Sequence, residues 1–193
     1  MSLKHALLGF LVYGDRTGYE LGRMFDYSIS HFWPANLSQI YPTLQDMADE
    51  GLVTFKRVEQ EKRPFRKVFT LTEPGRNELE RWLKEPLTLI PERDHFLVQL
   101  WFSADIDKED TIKCISTYAE QVSERLEWYK TEAKARIKLG LERYGRPMDK
   151  LYWNMTIEYC IKQYELWLEW AQDAMRLISA FEYEDAEVKA TKV

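Results

Sequence analysis

FWPANLSQIYPTLQDMADEGLVTFKRVEQEKRPFRKVFTLTEPGRNELERWL, residues 32–83, holds a polar helix followed by two short strands whose connecting loop is strongly basic. Trp33 and Pro34 end whatever precedes them, because the residue before a proline is pushed out of the helical region. Asn36 or Ser38 supplies an N-cap, and Leu37, Ile40, Leu44, Met47 and Ala48 form the apolar face of a helix that stops at Gly51. Its other face is Ser38, Gln39, Pro42, Gln45, Asp46 and Asp49, with Tyr41 and Thr43 on the flanks. Pro42 has no N–H to donate, which predicts irregular first turns. Residues 52–59 and 66–71 are rich in Val, Phe and Thr and read as strands joined by QEKRPF, after which Thr72 caps a helix carrying Leu79, Trp82 and Leu83. Between 53 and 70 stand Lys56, Arg57, Lys62, Arg63, Arg66 and Lys67 against only Glu59 and Glu61.

Upstream, Leu3, Ala6, Leu7, Phe10 and Leu11 recur at helical spacing up to Gly14, and Thr17 to Glu20 has the spacing of a capping box for a second helix with Leu21, Met24, Phe25 and Ile29 inward. Three helices, a two-stranded hairpin and a return helix are the layout of a winged helix-turn-helix, which presents one helix to the major groove and lays its hairpin along phosphates. The predicted fold class is mainly α: this winged unit with a two-stranded wing, then antiparallel C-terminal helices. On the third helix Gln39 suits a base edge, while Ser38, Tyr41 and Thr43 suit phosphates. Asp46, Asp49 and Glu50 oppose groove entry by its C-terminal half. The competing reading is a solvated, charge-protected edge. The local excess matters because charges farther off than about 8–10 Å are screened at physiological salt.

These residues resemble the PadR family of transcriptional regulators. The likeness rests on HALLGFLVYGDRTGYEL (5–21), FWPANLSQIYPTLQDMADEGLV (32–53) and KVFTLTEPGRNELERWL (67–83), in that order; SQIYPTL followed by EGLV is its specific part. It implies that residues 38–43 are the recognition helix, that 62–67 are the wing with Lys62, Arg63, Arg66 and Lys67 on DNA, and that Tyr41 faces DNA. The second half resembles the longer-tailed branch, whose helical C-terminal region dimerises; in the family some members answer to phenolic acids or flat drugs near the dimer interface, and others have no established effector.

KEPLTLIPERD (84–94), with Pro86 and Pro91, separates the halves and predicts a winged domain at 1–86, a helical dimerisation region at 87–182 and a frayed tail at 183–193. Residues 1–86 carry 12 basic and 12 acidic groups; 87–193 carry 15 and 20, so the net charge of -5 belongs to the second half. Short apolar helix at 95–102, long helix from Asp107, a break at RYGRP (143–147) and a last helix over 148–181 complete the pattern. Ile112, Ile115, Ala119, Val122, Leu126, Tyr129, Ala133 and Ile137 make one seam. The last helix has two: Trp153, Ile157, Cys160, Tyr164, Trp167, Ala171, Ala174, Ile178 and Phe181; then Tyr152, Met155, Tyr159, Leu166, Trp170 and Leu177. So wide an apolar arc needs a second subunit, with Trp153, Ile157, Tyr164, Trp167, Trp170 and Ile178 expected at the dimer contact. Tyr19, Trp101, Trp128, Tyr152, Trp153 and Trp167 are candidates for holding a flat aromatic effector, against the plainer role of core and interface.

His5, His31 and His95 lie far apart, the glycines form no phosphate cradle, and Cys114 and Cys160 stand alone in helices. No metal, cofactor or enzymatic activity is expected. Nor is an export signal, since Gly14, Asp15 and Arg16 follow the N-terminal apolar run without a cleavage site, and no run is long enough to span a bilayer. The expectation is a cytoplasmic homodimeric repressor of transcription whose partners are duplex operator DNA, a second copy of itself and a small aromatic effector. The alternative is a winged-helix scaffold that holds another protein and touches DNA weakly or not at all.

Overall fold

The computed structural model describes residues 2–60, 63–88 and 93–182. In chain order it contains α1 (Ser2–Leu11), β1 (Arg16–Thr17), α2 (Gly18–Tyr27), α3 (Leu37–Asp49), β2 (Val53–Gln60), β3 (Arg63–Leu71), α4 (Glu73–Leu83), α5 (His95–Trp101), a 3-10 turn (Ser103–Asp105), α6 (Lys108–Trp128), a π turn (Tyr129–Ala133), α7 (Lys134–Tyr144) and α8 (Asp149–Ala180). The chain forms two compact units, Met1–Leu89 with Arg136–Gly145, and Ile90–Ala135 with Arg146–Val193.

In the first unit the helices begin where side chains satisfy their orphan N–H groups. Thr17 Oγ1 accepts from Glu20 N at 3.2 Å while Glu20 Oε2 accepts from Thr17 N at 2.7 Å, a closed capping box at the start of α2. Asn36, not Ser38, caps α3, and Gln39 reaches back to complete a second box. Gly51 follows α3 in the left-handed region (φ 73), and Leu52 N donates to Met47 O at 2.9 Å, closing the helix end. Contrary to the expectation from Pro42, α3 is one uninterrupted helix. The carbonyl that Pro42 leaves without a donor is that of Ser38, on the exposed face where water serves.

The sheet is antiparallel in the order β1-β3-β2. Its third strand, the two residues Arg16 and Thr17 against Phe69 and Val68, was not predicted, and β3 begins three residues earlier than the apolar pattern indicated. Leu7, Leu8 and Leu11 of α1, Leu21 and Phe25 of α2, Ile40, Leu44 and Met47 of α3, Val53, Phe69 and Leu79 form the core, each worth about 1.5–3 kcal/mol of transfer energy for the larger side chains. Thr72 ties α4 to the chain leaving α3: its Oγ1 accepts from Gly75 N at 3.1 Å and donates to the Leu52 carbonyl at 2.8 Å.

His5 joins α1 to α4. Its ring stacks on Trp82 at 4.6 Å with 6° between planes, and Nε2 lies 3.1 Å from Glu78 Oε1. Glu78 also receives Arg81 at 2.8 Å and lies 3.8 Å from Lys4. The Arg81 hydrogen bonds, then that of His5, hold the Glu78 carboxyl down at about 2.

The second unit pairs α6 with α8. Tyr118 meets Trp167 while Tyr129, in the π turn that follows α6, meets Tyr164 and the Cys160 thiol, so the helices run antiparallel. Ile115, Val122, Leu126, Tyr129 and Ala133 on one side and Ile157, Cys160 and Ala171 on the other are buried, which follows the seams read from sequence, except that Thr111 is buried where Ile112 was expected. Burial first, then the Cys160 thiol, push the Tyr129 phenol above its ordinary value. Phe96 of α5 stacks on Tyr118 and meets Trp167 and Trp170 edge-on.

Two outcomes test this packing. A Cβ on Gly75 would lie 2.0 Å from the Leu52 carbonyl oxygen; Gly75→Ala therefore costs about 3 kcal/mol by overpacking, seen as a melting point lowered by about 10 °C. Because the Glu78 carboxyl titrates lower when folded than when unfolded, its stabilisation is full above its ordinary value of 4.5 and disappears as pH falls to about 2. Urea midpoints of wild type and Glu78→Gln are expected to differ at neutral pH and to converge across that window.

Candidate nucleic-acid interface

Ser38, Gln39, Tyr41 and Thr43 all fall on the first two turns of α3, as the spacing predicted. Their polar atoms are partly committed. Gln39 Oε1 accepts from Asn36 N at 3.2 Å, which turns the amide nitrogen outward as a donor. Ser38 Oγ donates to Asn36 Oδ1, and Thr43 Oγ1 donates to the Gln39 carbonyl at 2.8 Å. Both hydroxyl protons are therefore used inside the helix; in this arrangement the two hydroxyls offer acceptor lone pairs, which a phosphate does not need. Tyr41 is 48% exposed. Its ring rests on the first turn of α2 at Gly18, where a Cβ would come within 2.5 Å of it.

The basic hairpin divides between two faces. Register pairs Phe55 with Phe69, Arg57 with Lys67, Val58 with Arg66 and Lys56 with Val68, so period-two alternation puts Arg57 and Lys67 on the side of the buried Phe69, and Lys56 and Arg66 on the opposite side. Lys67 is held there. Its Nζ donates to Gln45 Oε1 at 2.8 Å and lies 4.2 Å from the Phe55 ring, while Gln45 Nε2 donates to Asp49 Oδ1 at 2.9 Å. Arg57 stacks over Phe65 at 4.7 Å. Arg66 and Lys56 are exposed. Lys62 lies outside the described residues, as does the side chain of Arg63. The link from Lys67 to Gln45, 22 residues apart, carries no local sequence signal; the division into faces was available from alternation alone. Asp49 is drawn to Gln45, whereas Asp46 stays exposed on the C-terminal half of the helix.

The aromatic candidates do not converge. Tyr19 stands exposed on α2 in the first unit; the tryptophans belong to the second. Trp167 sits in the cluster with Phe96, Tyr118 and Trp170, and Trp128 packs edge-on against Tyr129. Trp101 is 83% exposed and Tyr152 more than half exposed, neither with a ring partner among the described residues, and Trp153 is half-buried. Of the residues expected at a dimer contact, Ile157 is buried within the single chain, and Trp153, Tyr164, Trp167 and Ile178 are half-buried there; Trp170 is the most open. The face of α8 left uncovered is the other seam, with Tyr152, Met155, Tyr159, Leu166 and Leu177. Among the described residues no three His, Cys, Asp or Glu gather to hold a metal, and no helix is long and apolar enough to cross a membrane.

With this geometry in place, residues 7–81 match the model of the transcriptional regulator PadR-like family, and 92–179 that of the virulence activator α C-terminal region. The N-terminal segment is a PadR-like domain. Over 112 residues the chain is 37% identical to the negative transcriptional regulator PadR of Bacillus subtilis, covering 56% of this chain and 60% of that one. Over 88 residues it is 46% identical to a probable transcriptional regulator of Mycobacterium tuberculosis, covering 46% and 47%. The matches thus span between about half and three-fifths of the relatives' lengths. In fold, B. subtilis PadR in complex with operator DNA superposes with a TM-score of 0.79 at 24% identity over 92% of this chain and 99% of that one. The same protein with p-coumaric acid gives 0.74 at 23% over 93% and 96%.

Within the PadR-like domain, the strut from wing to α3 is open to a double-mutant cycle. Lys67→Ala and Gln45→Ala are each expected to cost about 1 kcal/mol in urea unfolding, and the double variant little more than either alone.

Proposed function

We propose that the protein is a cytoplasmic, homodimeric, DNA-binding transcriptional regulator that represses by occupying an operator and is relieved by a small aromatic effector. The observation that carries this reading is the pairing, through Lys67 and Gln45, of a basic hairpin with a helix whose first turns expose Gln39 and Tyr41. A sheet edge charged only for solubility has no reason to be braced against that helix. Support comes from B. subtilis PadR, named a negative regulator and solved with operator DNA and with p-coumaric acid. The PadR-like family is one of transcriptional regulators, which favours a binding role over an enzymatic one.

In mechanism, α3 enters the major groove with Gln39 reading an edge through its outward amide nitrogen, and Tyr41 seated beside it. Arg66 and Lys56, on the outer face of the wing, meet phosphates together with Lys62 and Arg63 at its tip; Lys67 braces the wing and lends its charge from behind. The dimer forms through the open seam of α8, because an apolar stripe of that length in water is costly and a second copy presents the same stripe. Tyr19 and the tryptophans remain candidates for the effector.

Purified protein is expected to select from a random library a two-fold symmetric site with half-sites about 10 base pairs apart or a multiple of that. Arg66→Ala should weaken binding to all sequences alike and reduce the slope of log affinity against log salt by about 0.9, whereas Gln39→Ala should relax one position per half-site and spare the slope. Leu166→Glu should sediment as a monomer. Wild-type protein that binds duplex DNA with no dependence on salt overturns the reading.

A further inference from the structure

A second group of arginines lies in the first unit, on β1, on α2 and on the part of α7 that belongs to that unit. α7 carries Lys134, Arg136, Lys138 and Arg143 against Glu142 alone, in a half of the chain that otherwise has 11 basic and 19 acidic residues. The stretch that rejoins the PadR-like unit is therefore the basic exception in an acidic half. Arg136 Nη1 donates to the Asp26 carbonyl at 3.2 Å, and its guanidinium lies 5.9 Å from the Tyr27 ring. Arg23, one turn earlier on α2, lies 5.4 Å from the same ring and donates to the Tyr27 hydroxyl at 3.1 Å. The Tyr144 ring likewise takes Arg16 at 5.3 Å and Arg143 at 5.2 Å.

Two tyrosine rings thus gather four guanidinium groups. Stacking engages the face of a guanidinium and not its in-plane N–H donors. Arg16 gives Nη1 and Nη2 to the Asp15 and Tyr13 carbonyls, whereas Arg23 gives Nη2 to the Tyr27 hydroxyl and keeps its other donors for an anion. Elsewhere in the chain Arg81, Arg146 and Arg176 pair with Glu78, Asp149 and Asp173, but Arg16, Arg23 and Arg143 form no ion pair among the described residues. Of the two carboxylates on α2, Glu20 is turned onto Thr17, and Asp26, three residues from Arg23, is exposed. Four guanidinium groups around two rings repel one another in isolation, a repulsion that a polyanion relieves. The group is also close to α3: Gly18 lies under Tyr41 and Gly22 under Leu37, and Tyr19 and Arg23 each follow one of these glycines, a turn of about 100° around α2.

We propose that Arg23 and Arg143, supported by Arg16 and Arg136 on the Tyr27 and Tyr144 rings, hold the phosphate backbone of duplex DNA beside the groove that α3 enters, a contact surface additional to the recognition helix and the wing. This rests on the DNA-binding reading above. Tyr27 and Tyr144 act as positioning residues: they aim the guanidinium edges and keep them apart.

The test is fluorescence anisotropy with the full chain and a labelled random-sequence duplex, between about 50 and 200 mM salt. Arg23→Gln and Arg143→Gln are each expected to reduce the salt slope by about 0.9 and to weaken binding several-fold, with melting and sedimentation unchanged. Arg143→Lys, which keeps the charge, should retain the wild-type slope. Arg66→Ala in the wing serves as the reference. If it lowers the slope while Arg23→Gln and Arg143→Gln keep the wild-type value, this surface is not a DNA contact and the wing reading stands. If the wild-type chain shows no salt-dependent binding, both readings fall. Should Arg143→Gln unfold, Arg23→Gln on the folded protein carries the test, and an unchanged slope in it overturns the proposal.

Discussion

How closely α2 and α3 approach governs what the PadR-like unit can present. Gly18 and Gly22, four residues apart and so on one side of α2, leave no Cβ where the Tyr41 ring and the Leu37 side chain lie; added carbons would sit 2.5 and 2.7 Å from them. From that seating Ile40, Leu44 and Met47 reach the core, and Gln45 comes within hydrogen-bonding distance of Lys67 on the wing. A larger residue at either glycine must displace the Tyr41 ring or the Leu37 side chain from its present seat. Two absent side chains thus decide where Tyr41, a residue of the presented face, can lie.

Much of this was legible in the sequence because it depends on local chemistry. Thr17, Asn36 and Thr72 announced their helices through the spacing of caps and partners, and Gly51 its stop. Most helical core residues followed from periodicity; Leu8, fully buried on α1, did not, and Val53 and Phe69 lie on strands. What sequence reading did not supply depends on contacts between distant residues or on patterns that leave the apolar rhythm intact. β1 is too short to show an alternation. The Lys67 link and the Arg136 link to Asp26 span 22 and 110 residues. At the candidate site the residue types were right, but which atoms remain available was not readable: the Ser38 and Thr43 protons and the Gln39 carbonyl oxygen are taken up by the helix itself.

The second unit shows the same division. Periodicity gave two seams on α8, yet only the fold tells which is covered within one chain. Ile157, Cys160 and Ala171 are packed on α6, and the parallel row from Tyr152 to Leu177 is open. Aromatic residues serve both rows, so their number alone does not distinguish core from surface. Tyr129 and Trp101 illustrate the extremes, one 1% exposed and the other among the most exposed residues of its unit.

The π turn between Trp128 and Lys134 accommodates one more residue per turn than the helices that flank it. Since each residue advances an α-helix by about 100°, such a turn shifts the phase of everything that follows without ending the rod. Leu126, Tyr129 and Ala133 keep their three-four rhythm across it, so the apolar pattern gives no notice. Its consequence is angular: the count of about 100° per residue that places residues on α6 does not carry through Tyr129–Ala133, so it does not tell which side of α7 a residue occupies.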